Sequence, residues 1–377
     1  METFETKLPA KRKLLGMTTS GFDPSSRFRF IQFIPWLQEA GWDVDHRPNR
    51  PDRQWSSPLG GRVPRAVHHR AGKLAMKINR LRDIREASRF DLCFMNSNLA
   101  GDGLFFEKRL FQANSRVVFD FDDALFAGKN EAAVRWVCQN AAWITPGNEY
   151  LADYARRFSH RVTVIPTVID TDAYAVRNWQ QVDRSRMVRV GWSGSDQSIR
   201  HSLFPYLPLI EQLQRKLQFE FVIVTNTRPE LPTGSLHWSF TPWTVAGEAA
   251  LESTFDIGLM PLVDNAFQRG KCGLKLLQYM ASGLPVVGSP VGVNRDIIQD
   301  GRTGFAATSE QEWGQALETL ISSFELRASM GSAGRERCVD HYSIRRWLPK
   351  MLRVFDRVCR KSLADGVPDA YCKPAWN

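Results

Sequence analysis

The sequence predicts an α/β protein built from two similar halves, and three observations support this. Short apolar segments of strand length alternate with helical segments, a pattern typical of parallel sheets. The polar stretch 177–186 interrupts the alternation and is the best candidate for a linker. The chain has 377 residues, a length that suits about two domains.

The first half opens with a strand at 14–19, a loop at 20–26 and a helix at 27–37, whose apolar residues recur every three or four positions. A second strand starts at Trp42. The other strand candidates are 91–95, 116–121, 142–146 and 162–166 in the first half, and 188–192, 219–225, 255–260 and 284–288 in the second. Polar residues follow several of them, and ligands bind outside the carboxyl ends of such strands.

The composition excludes several classes of protein. Hydrophobic residues make up 43% and charged residues 24%, which argues against a disordered chain or a coiled coil. No apolar run reaches the roughly 18 residues of a membrane span, and we expect no secretory signal at the N-terminus. The six cysteines have no metal-binding or disulfide spacing, which favours the cytoplasm. The net charge of +10 requires an explanation.

The stretch 269–287 carries the clearest chemistry. Lys271, Lys275 and Gln278 fall on one face of a predicted helix, and Gly270 and Gly273 allow close backbone approach at its start. A helix start with two lysines suits a phosphate group. The alternative is a solvated lysine face on a packing helix. The spacing is not that of a P-loop.

This stretch resembles the signature of GT-B glycosyltransferases, close to glycosyltransferase family 4, the glycosyl transferases group 1. The resemblance covers nearly the whole chain, is specific in the second half, and is looser over about 49–87. The matching segments are 191–195, 256–262, 270–287, 292–298 and 301–305, with 25–27, 118–123 and 166–172 in the first half.

The resemblance implies two Rossmann-like domains that face a cleft. An N-terminal domain, 1–178, would bind the acceptor, and a C-terminal domain, 187–344, would bind a nucleotide-sugar. A helix at about 345–377 would cross back to the first domain. The implied reaction is sugar transfer, with retention of anomeric configuration, to a glycan, a lipid-linked saccharide or another cell-envelope precursor, without a metal or cofactor. Two alternatives stay open: a nucleotide-sugar 2-epimerase and a non-catalytic sugar- or nucleotide-binding protein.

The sequence departs from the family at the donor site. Two glutamates that many members carry are replaced by Gly270 and Gln278, and no cation follows the first strand of the second domain until Arg200. We expect Lys271 and Lys275, helped by Arg269, to stabilise the leaving diphosphate instead. The expected donor-binding residues are Ser193, Gly194, Ser195, Arg269, Gly270, Gly273 and Gln278.

The acceptor side is predicted at the end of the strand 116–121. Asp122 best matches a histidine of retaining relatives, and a carboxylate there suits orienting an acceptor hydroxyl or accepting its proton. The alternative is that Asp123 caps a helix at 124–126. The other expected cleft residues are Asp120, Asp123, Ser26, Arg27, Asn148 and Glu149. For Ser26 the alternative is a helix cap beside solvated arginines.

The segment 68–82 is predicted to be a basic amphipathic helix. Lys73, Lys77 and Arg80 share one face and Leu74, Ile78 and Leu81 another, while His68 and His69 at its start are expected on the surface. Such a helix suits an anionic membrane surface, and the alternative is a solvated helix that packs on its domain. Nucleic acid is a weaker candidate, because no nucleic-acid-binding motif accompanies the basic residues.

Overall fold

The computed structural model describes residues 11–50, 65–99, 103–232 and 234–360, without the side chains of 65–69. Two parallel sheets divide the chain between them, as predicted for two α/β halves. Within these ranges, no helix has both the length and the apolar character that crossing a bilayer requires.

The first sheet has five parallel strands in the order β2-β1-β3-β4-β5. Its strands are β1 (Arg12–Ser20), β2 (Trp42–Arg50), β3 (Leu92–Asn96), β4 (Val117–Phe121) and β5 (Trp143–Pro146). Its helices are α1 (Pro24–Arg29), α2 (Ile34–Glu39), α3 (Arg65–Glu86), α4 (Phe105–Ala113), α5 (Glu131–Asn140) and α6 (Glu149–Arg156).

The second sheet has six parallel strands in the order β11-β10-β9-β6-β7-β8. These are β6 (Val188–Ser193), β7 (Phe219–Thr225), β8 (Trp238–Pro242), β9 (Ile257–Met260), β10 (Val286–Gly288) and β11 (Gly304–Ala306). The helices are α7 (Asp196–Ser202), α8 (Leu207–Gln214), α9 (Val245–Ala249), α10 (Ala266–Arg269), α11 (Leu274–Ala281), α12 (Asn294–Ile297), α13 (Glu310–Ser322), α14 (Phe324–Tyr342) and α15 (Ile344–Arg360).

The last described helix, α15, packs against the first sheet although it follows the second in sequence. Its Phe355 is fully buried and lies edge-on to Trp42 of β2, with ring centroids 5.6 Å apart. Asp356 forms an ion pair with Arg12 of β1, with 2.6 Å between Oδ1 and Nη1. The C-terminal helix therefore crosses back as expected, and the part of that prediction beyond 360 lies outside the described residues.

Two local predictions were wrong. Residues 162–166 make a single bridge from Val162 to Ile144 and no strand. Residues 124–126 lie in turns rather than in a helix, and the next helix begins only at Glu131. Asp123 therefore has no helix start to cap.

Candidate functional site

A cleft of about 940 Å³ lies between the two sheets, at the carboxyl ends of their strands. Its wall includes residues that follow β4 in the first domain and β6, β7 and β9 in the second. In open α/β sheets this edge is where ligands bind. The predicted fold class, two Rossmann-like domains that face a cleft, is confirmed.

The loop 270–273 and the start of α11 contribute two lysines to the cleft. Lys271 and Lys275 both line it. Lys275 Nζ lies 5.3 Å from the ring centroid of Trp192, and among the described residues no carboxylate lies within 4.0 Å of it. Burial, together with the charge of Lys271, lowers the pKa of Lys275 to about 8. Among the described residues, the cleft therefore holds an ammonium group that has no direct ion-pair partner.

Other predicted donor residues surround these lysines. Ser193, Gly194 and Ser195 line the cleft at the end of β6. Gln278 of α11 lines it too; its side chain is 4% exposed, and its Nε2 lies 3.4 Å from the Tyr174 hydroxyl. Gly273 has φ of +70° directly before α11, a conformation that glycine adopts without strain. A Cβ there would also lie 2.1 Å from Ile297.

Two predicted donor residues lie elsewhere. The exposed guanidinium of Arg269 pairs with Asp264, with 2.6 Å between Nε and Oδ1, and Arg269 does not line the cleft. Gly270 packs against the first domain, where an added Cβ would lie 2.7 Å from the backbone nitrogen of Ala124. A glutamate at 270 would therefore require the backbone near Gly270 or Ala124 to shift.

Asp122 faces the lysines from the first domain. It lines the cleft after β4, and the Ser25 hydroxyl donates to its Oδ1 over 2.5 Å. Burial and the neighbouring carboxylate of Asp123 raise the pKa of Asp122 to about 7. A carboxylate of this pKa exchanges protons readily near neutral pH, which suits a general base.

Asp123 joins the two sides of the cleft. Its Oδ1 lies 2.7 Å from Lys271 Nζ, and both side chains are about one-third exposed. Lys271 Nζ also lies 4.7 Å from the ring centroid of Phe267. An anion that enters the cleft would compete with Asp123 for this ammonium group.

Asp120, predicted as a cleft residue, is fully buried beneath the cleft and does not line it. Arg29 binds it through two nitrogens, at 3.0 and 2.6 Å, and the Thr145 hydroxyl donates to it at 2.8 Å. Arg29 is 1% exposed, so it is not a solvated arginine. The pair instead ties α1 to β4.

The Asp120→Asn variant tests this structural role. Removing one partner of a buried ion pair leaves the other charge uncompensated, so we expect the free energy of unfolding to fall by about 3–5 kcal/mol. The matched variant Asp123→Asn breaks a partly exposed pair and should lower it by no more than about 1 kcal/mol. Urea denaturation of the two variants measures both values, and equal losses would contradict the assignment.

Ser26 and Arg27 lie next to the cleft without lining it. The α1 helix is capped by Asp23, which accepts from the Ser26 backbone nitrogen, so the alternative of a helix cap by Ser26 does not apply. The Ser26 side chain is fully buried. Arg27 binds Glu248 of the second domain through two hydrogen bonds of 2.6 and 3.1 Å. Arg27 thus holds the domains together.

Asn148 and Glu149 also have other roles. Asn148 is 2% exposed, caps α6 and donates across the domain boundary to the carbonyl oxygen of Gly270 at 2.9 Å. Glu149 is exposed and pairs with Arg156 on the same helix, outside the cleft. Neither side chain lines the cleft.

Several cleft residues were missed by the sequence analysis. These are Gln197, His201, Asn226, Trp243, Glu248, Asn265, Phe267 and Gln268, and Arg200 lies among them. Ser25, from the predicted loop 20–26, lines the cleft as well. The pair Asp23-Pro24 was a usable signal, because aspartate at the cap and proline in the first turn mark a helix start. That start places Ser25, rather than Ser26, toward the cleft. Among the described residues, no group of three or more His, Cys, Asp or Glu side chains is arranged to hold a metal ion.

Comparison with known proteins adds two sequence matches. Residues 200–323 match the model of the family described as glycosyl transferases group 1. The D-inositol 3-phosphate glycosyltransferase of Corynebacterium aurimucosum is 30% identical over 128 residues, which are 33% of this chain and 28% of that protein. The aligned region therefore spans less than a third of the curated relative.

Solved structures match over nearly the whole chain. Sucrose-phosphate synthase from Thermosynechococcus elongatus has a TM-score of 0.66 at 16% identity, covering 92% of this chain and 99% of that one. Anabaena HepE in complex with UDP and glucose has a TM-score of 0.64 at 14% identity, with the same coverage. The lipopolysaccharide outer core galactosyltransferase WaaB has a TM-score of 0.59 at 12% identity, covering 94% and 100%. These likenesses show that the fold is GT-B.

Proposed function

Because residues 200–323 belong to the glycosyl transferases group 1 family and the chain has the GT-B fold, we propose that it is a glycosyltransferase. It moves a sugar from a nucleotide-sugar to an acceptor hydroxyl in the cleft between its domains. Anabaena HepE, which shares the fold, was solved with UDP and with UDP-glucose, and this supports a nucleotide-sugar as the donor.

The observation that carries the proposal is the charge arrangement across the cleft. Lys271 and Lys275 lie on the donor side, and Asp122 lies on the opposite wall. A nucleoside diphosphate gains negative charge as it leaves, so fixed cations that meet it lower the barrier. Lys275 has no carboxylate partner within 4.0 Å among the described residues, which leaves it available for this charge.

The reaction follows from this arrangement. The anomeric carbon loses its bond to the diphosphate oxygen and gains one to the acceptor oxygen. Asp122 receives the proton of the acceptor hydroxyl, while Lys271 and Lys275 hold the departing diphosphate. Gln278 offers a neutral hydrogen bond to the ribose. We expect retention of configuration, with the acceptor oxygen bonding to the anomeric carbon on the same face from which the diphosphate leaves. The family likeness supports this, and the anomeric proton coupling of the product tests it.

The two alternatives differ in what they require. A 2-epimerase needs acid and base groups around the donor sugar. On the described second-domain wall, the acid and base groups besides the two lysines include His201 and Glu248, and the Glu248 carboxylate is already bound by Arg27 and Trp243. A binding protein needs no proton acceptor, whereas Asp122 is a cleft carboxylate with a raised pKa. Both features favour the transferase.

A thermal-shift screen over UDP-, GDP-, ADP- and dTDP-sugars tests donor binding. A ligand that binds only the native state at about 100 times its Kd stabilises it by about 2.7 kcal/mol, so the correct donor should raise Tm measurably. We expect one class of nucleotide to do so in the wild type, and UDP is the first candidate. No shift with any nucleotide-sugar would contradict the proposal.

We place the acceptor in the cell envelope, as a glycan or lipid-linked saccharide, with the reaction at the inner, cytoplasmic face of the membrane. The exposed face of α3 supports this. Leu74 and Ile78 are 59% and 44% exposed, and Lys73 and Lys77 lie beside them. Arg80 departs from the predicted basic face, because it is fully buried and donates to the carbonyl oxygens of Thr18 and Leu99.

Vesicle co-sedimentation tests the membrane contact. Each lysine near an anionic surface contributes about 1 kcal/mol, so Lys73→Gln with Lys77→Gln should weaken binding to phosphatidylserine vesicles about 30-fold at low salt. The control Arg215→Gln with Lys216→Gln removes two exposed charges from the second domain and should leave binding unchanged. No binding of the wild type at low salt would exclude the membrane contact.

A further inference from the structure

Ser25 is the cleft residue in closest contact with Asp122. Both side chains line the cleft, and Ser25 Oγ lies 2.5 Å from Asp122 Oδ1. Ser25 is the second residue of α1, which Asp23 and Pro24 begin, so its backbone position is fixed. A serine hydroxyl has one proton to donate, and its direction decides whether Asp122 is stabilised as a carboxylate.

A chain of hydrogen bonds beneath the cleft fixes the direction in which the Ser25 hydroxyl points. Asp120 is fully buried, and the arginine bound to it keeps it an acceptor, so the Asn96 side chain must turn its NH₂ group toward it, at 3.2 Å. The same nitrogen lies 3.3 Å from Ser25 Oγ. The Ser25 oxygen therefore accepts from Asn96.

The Ser25 hydroxyl therefore donates its proton to Asp122. Asn96 Oδ1 is the competing acceptor at 3.4 Å, beyond the usual range for an O–H donor, whereas Asp122 Oδ1 lies at 2.5 Å. The order is Arg29, Asp120, Asn96, Ser25, Asp122. Arg29 and Asn96 both donate to Asp120, the Asn96 nitrogen also lies within reach of Ser25 Oγ, and the Ser25 hydroxyl donates to Asp122.

We propose that Ser25 is a positioning residue, whose hydroxyl, oriented by this chain, holds the Asp122 carboxylate toward the acceptor. The inference rests on the proposed function, in which the acceptor hydroxyl gives its proton to Asp122 as its oxygen bonds to the anomeric carbon. The hydrogen bond from Ser25 favours the ionised carboxyl and leaves Asp122 Oδ2 for the acceptor.

Several other groups influence Asp122. Burial and the carboxylate of Asp123 raise its pKa, while the Arg29 guanidinium and the Ser25 hydroxyl lower it and Asp120 raises it further. From the second domain, Lys271 is paired with Asp123, and the Cys272 thiol donates to the Asp122 backbone carbonyl at 3.3 Å. Burial raises the pKa of Cys272, so this thiol stays uncharged. Among these groups, Ser25 is thus the uncharged hydrogen-bond donor to the Asp122 carboxyl.

The test is the pH dependence of kcat/KM with the full chain. Ser25→Ala should move the acidic limb upward by about one pH unit, since a hydrogen bond to a charged group contributes about that much to a pKa. Ser25→Thr keeps the hydroxyl and should restore the wild-type midpoint. A merely structural role would lower the whole profile and leave the midpoint in place.

A second readout does not depend on activity. The Asp122 carboxyl ¹³C signal, assigned by its loss in Asp122→Asn, should titrate at higher pH in Ser25→Ala than in the wild type. An unchanged midpoint in both measurements would overturn the role of Ser25 while leaving the transferase proposal intact. Full activity and an unchanged acidic limb in Asp122→Asn would instead remove Asp122 from the mechanism, and the role of Ser25 with it.

Discussion

Replacing Lys275 by methionine should lower kcat by about 10²–10³-fold without destabilising the protein. The activity falls because one fixed cation no longer meets the departing diphosphate, and removing a single such donor typically has this effect. Stability should hold or rise, because the lowered pKa of Lys275 means that the folded state disfavours its charge. Steady-state kinetics and thermal unfolding at pH 7 measure both quantities.

The matched variants are Lys271→Met and Lys275→Arg. Lys271 already shares its charge with Asp123 at 2.7 Å, so its loss should also reduce kcat and should leave an unpaired carboxylate behind. Lys275→Arg keeps the charge, so it should retain more activity than Lys275→Met. Near-normal turnover in both methionine variants would rule out these lysines as the diphosphate site.

Replacing Asp122 by asparagine should lower kcat/KM by about 10²–10⁴-fold and abolish the acidic limb of its pH profile. In the wild type, Asp122 must be ionised, so activity rises with pH through its pKa of about 7. Lys275 must be protonated, so activity falls again above its pKa of about 8. The profile should therefore peak between these two values, and only its alkaline limb should survive in the variant.

The direction of the stability change in Asp122→Asn also follows from the pKa of Asp122. The pKa of Asp122 is raised in the folded state, so its ionised form opposes folding at pH 7 and protonation relieves that cost. Asp122→Asn should then be at least as stable as the wild type. The control Glu149→Gln makes the same chemical change outside the cleft and should leave kcat/KM and both limbs unchanged. An intact acidic limb in Asp122→Asn would assign that limb to another group.

The two α/β halves and most of their strands were predictable, because buried parallel strands are continuous apolar segments. The strand β8 was missed because its residues are partly exposed and its segment lacks an apolar run. The predicted strand at 162–166 has the right composition, and the backbone nitrogens of Thr163 and Ile165 donate to β5, but the segment forms only an isolated bridge rather than a strand. An apolar composition indicates that a segment is buried, but it does not determine whether the segment joins the sheet as a strand.

The donor half of the site was easier to predict than the acceptor half. Lys271, Lys275 and Gln278 lie close together in one sequence motif, so local spacing brings them to one wall. On the acceptor side, Asp120 and Asp122 are two residues apart and have opposite environments. Asp120 is buried and binds Arg29, a partner 91 positions away in the sequence. Asp122 faces the cleft. Such long-range pairing leaves no local signal.

Contacts between the domains account for three further differences. Arg27, Asn148 and Gly270 were expected to meet substrate, and each instead contacts the opposite domain. Polar residues and glycines near strand ends are required for ligand binding and for close domain contact alike. The sequence does not separate the two uses, because the partner segments lie more than a hundred residues away.

Acceptor-dependent release of the nucleoside diphosphate from a labelled nucleotide-sugar is the most direct test of a transferase in this cleft. The wild type is incubated with the donor identified by thermal shift and with glycan and lipid-linked saccharide acceptors, and Lys275→Met is measured beside it. We predict that an acceptor stimulates release, that labelled sugar appears in the product in equal molar amount, and that Lys275→Met loses both. Donor binding without turnover across the acceptors, or a C2-epimerised sugar formed without acceptor, would contradict the account.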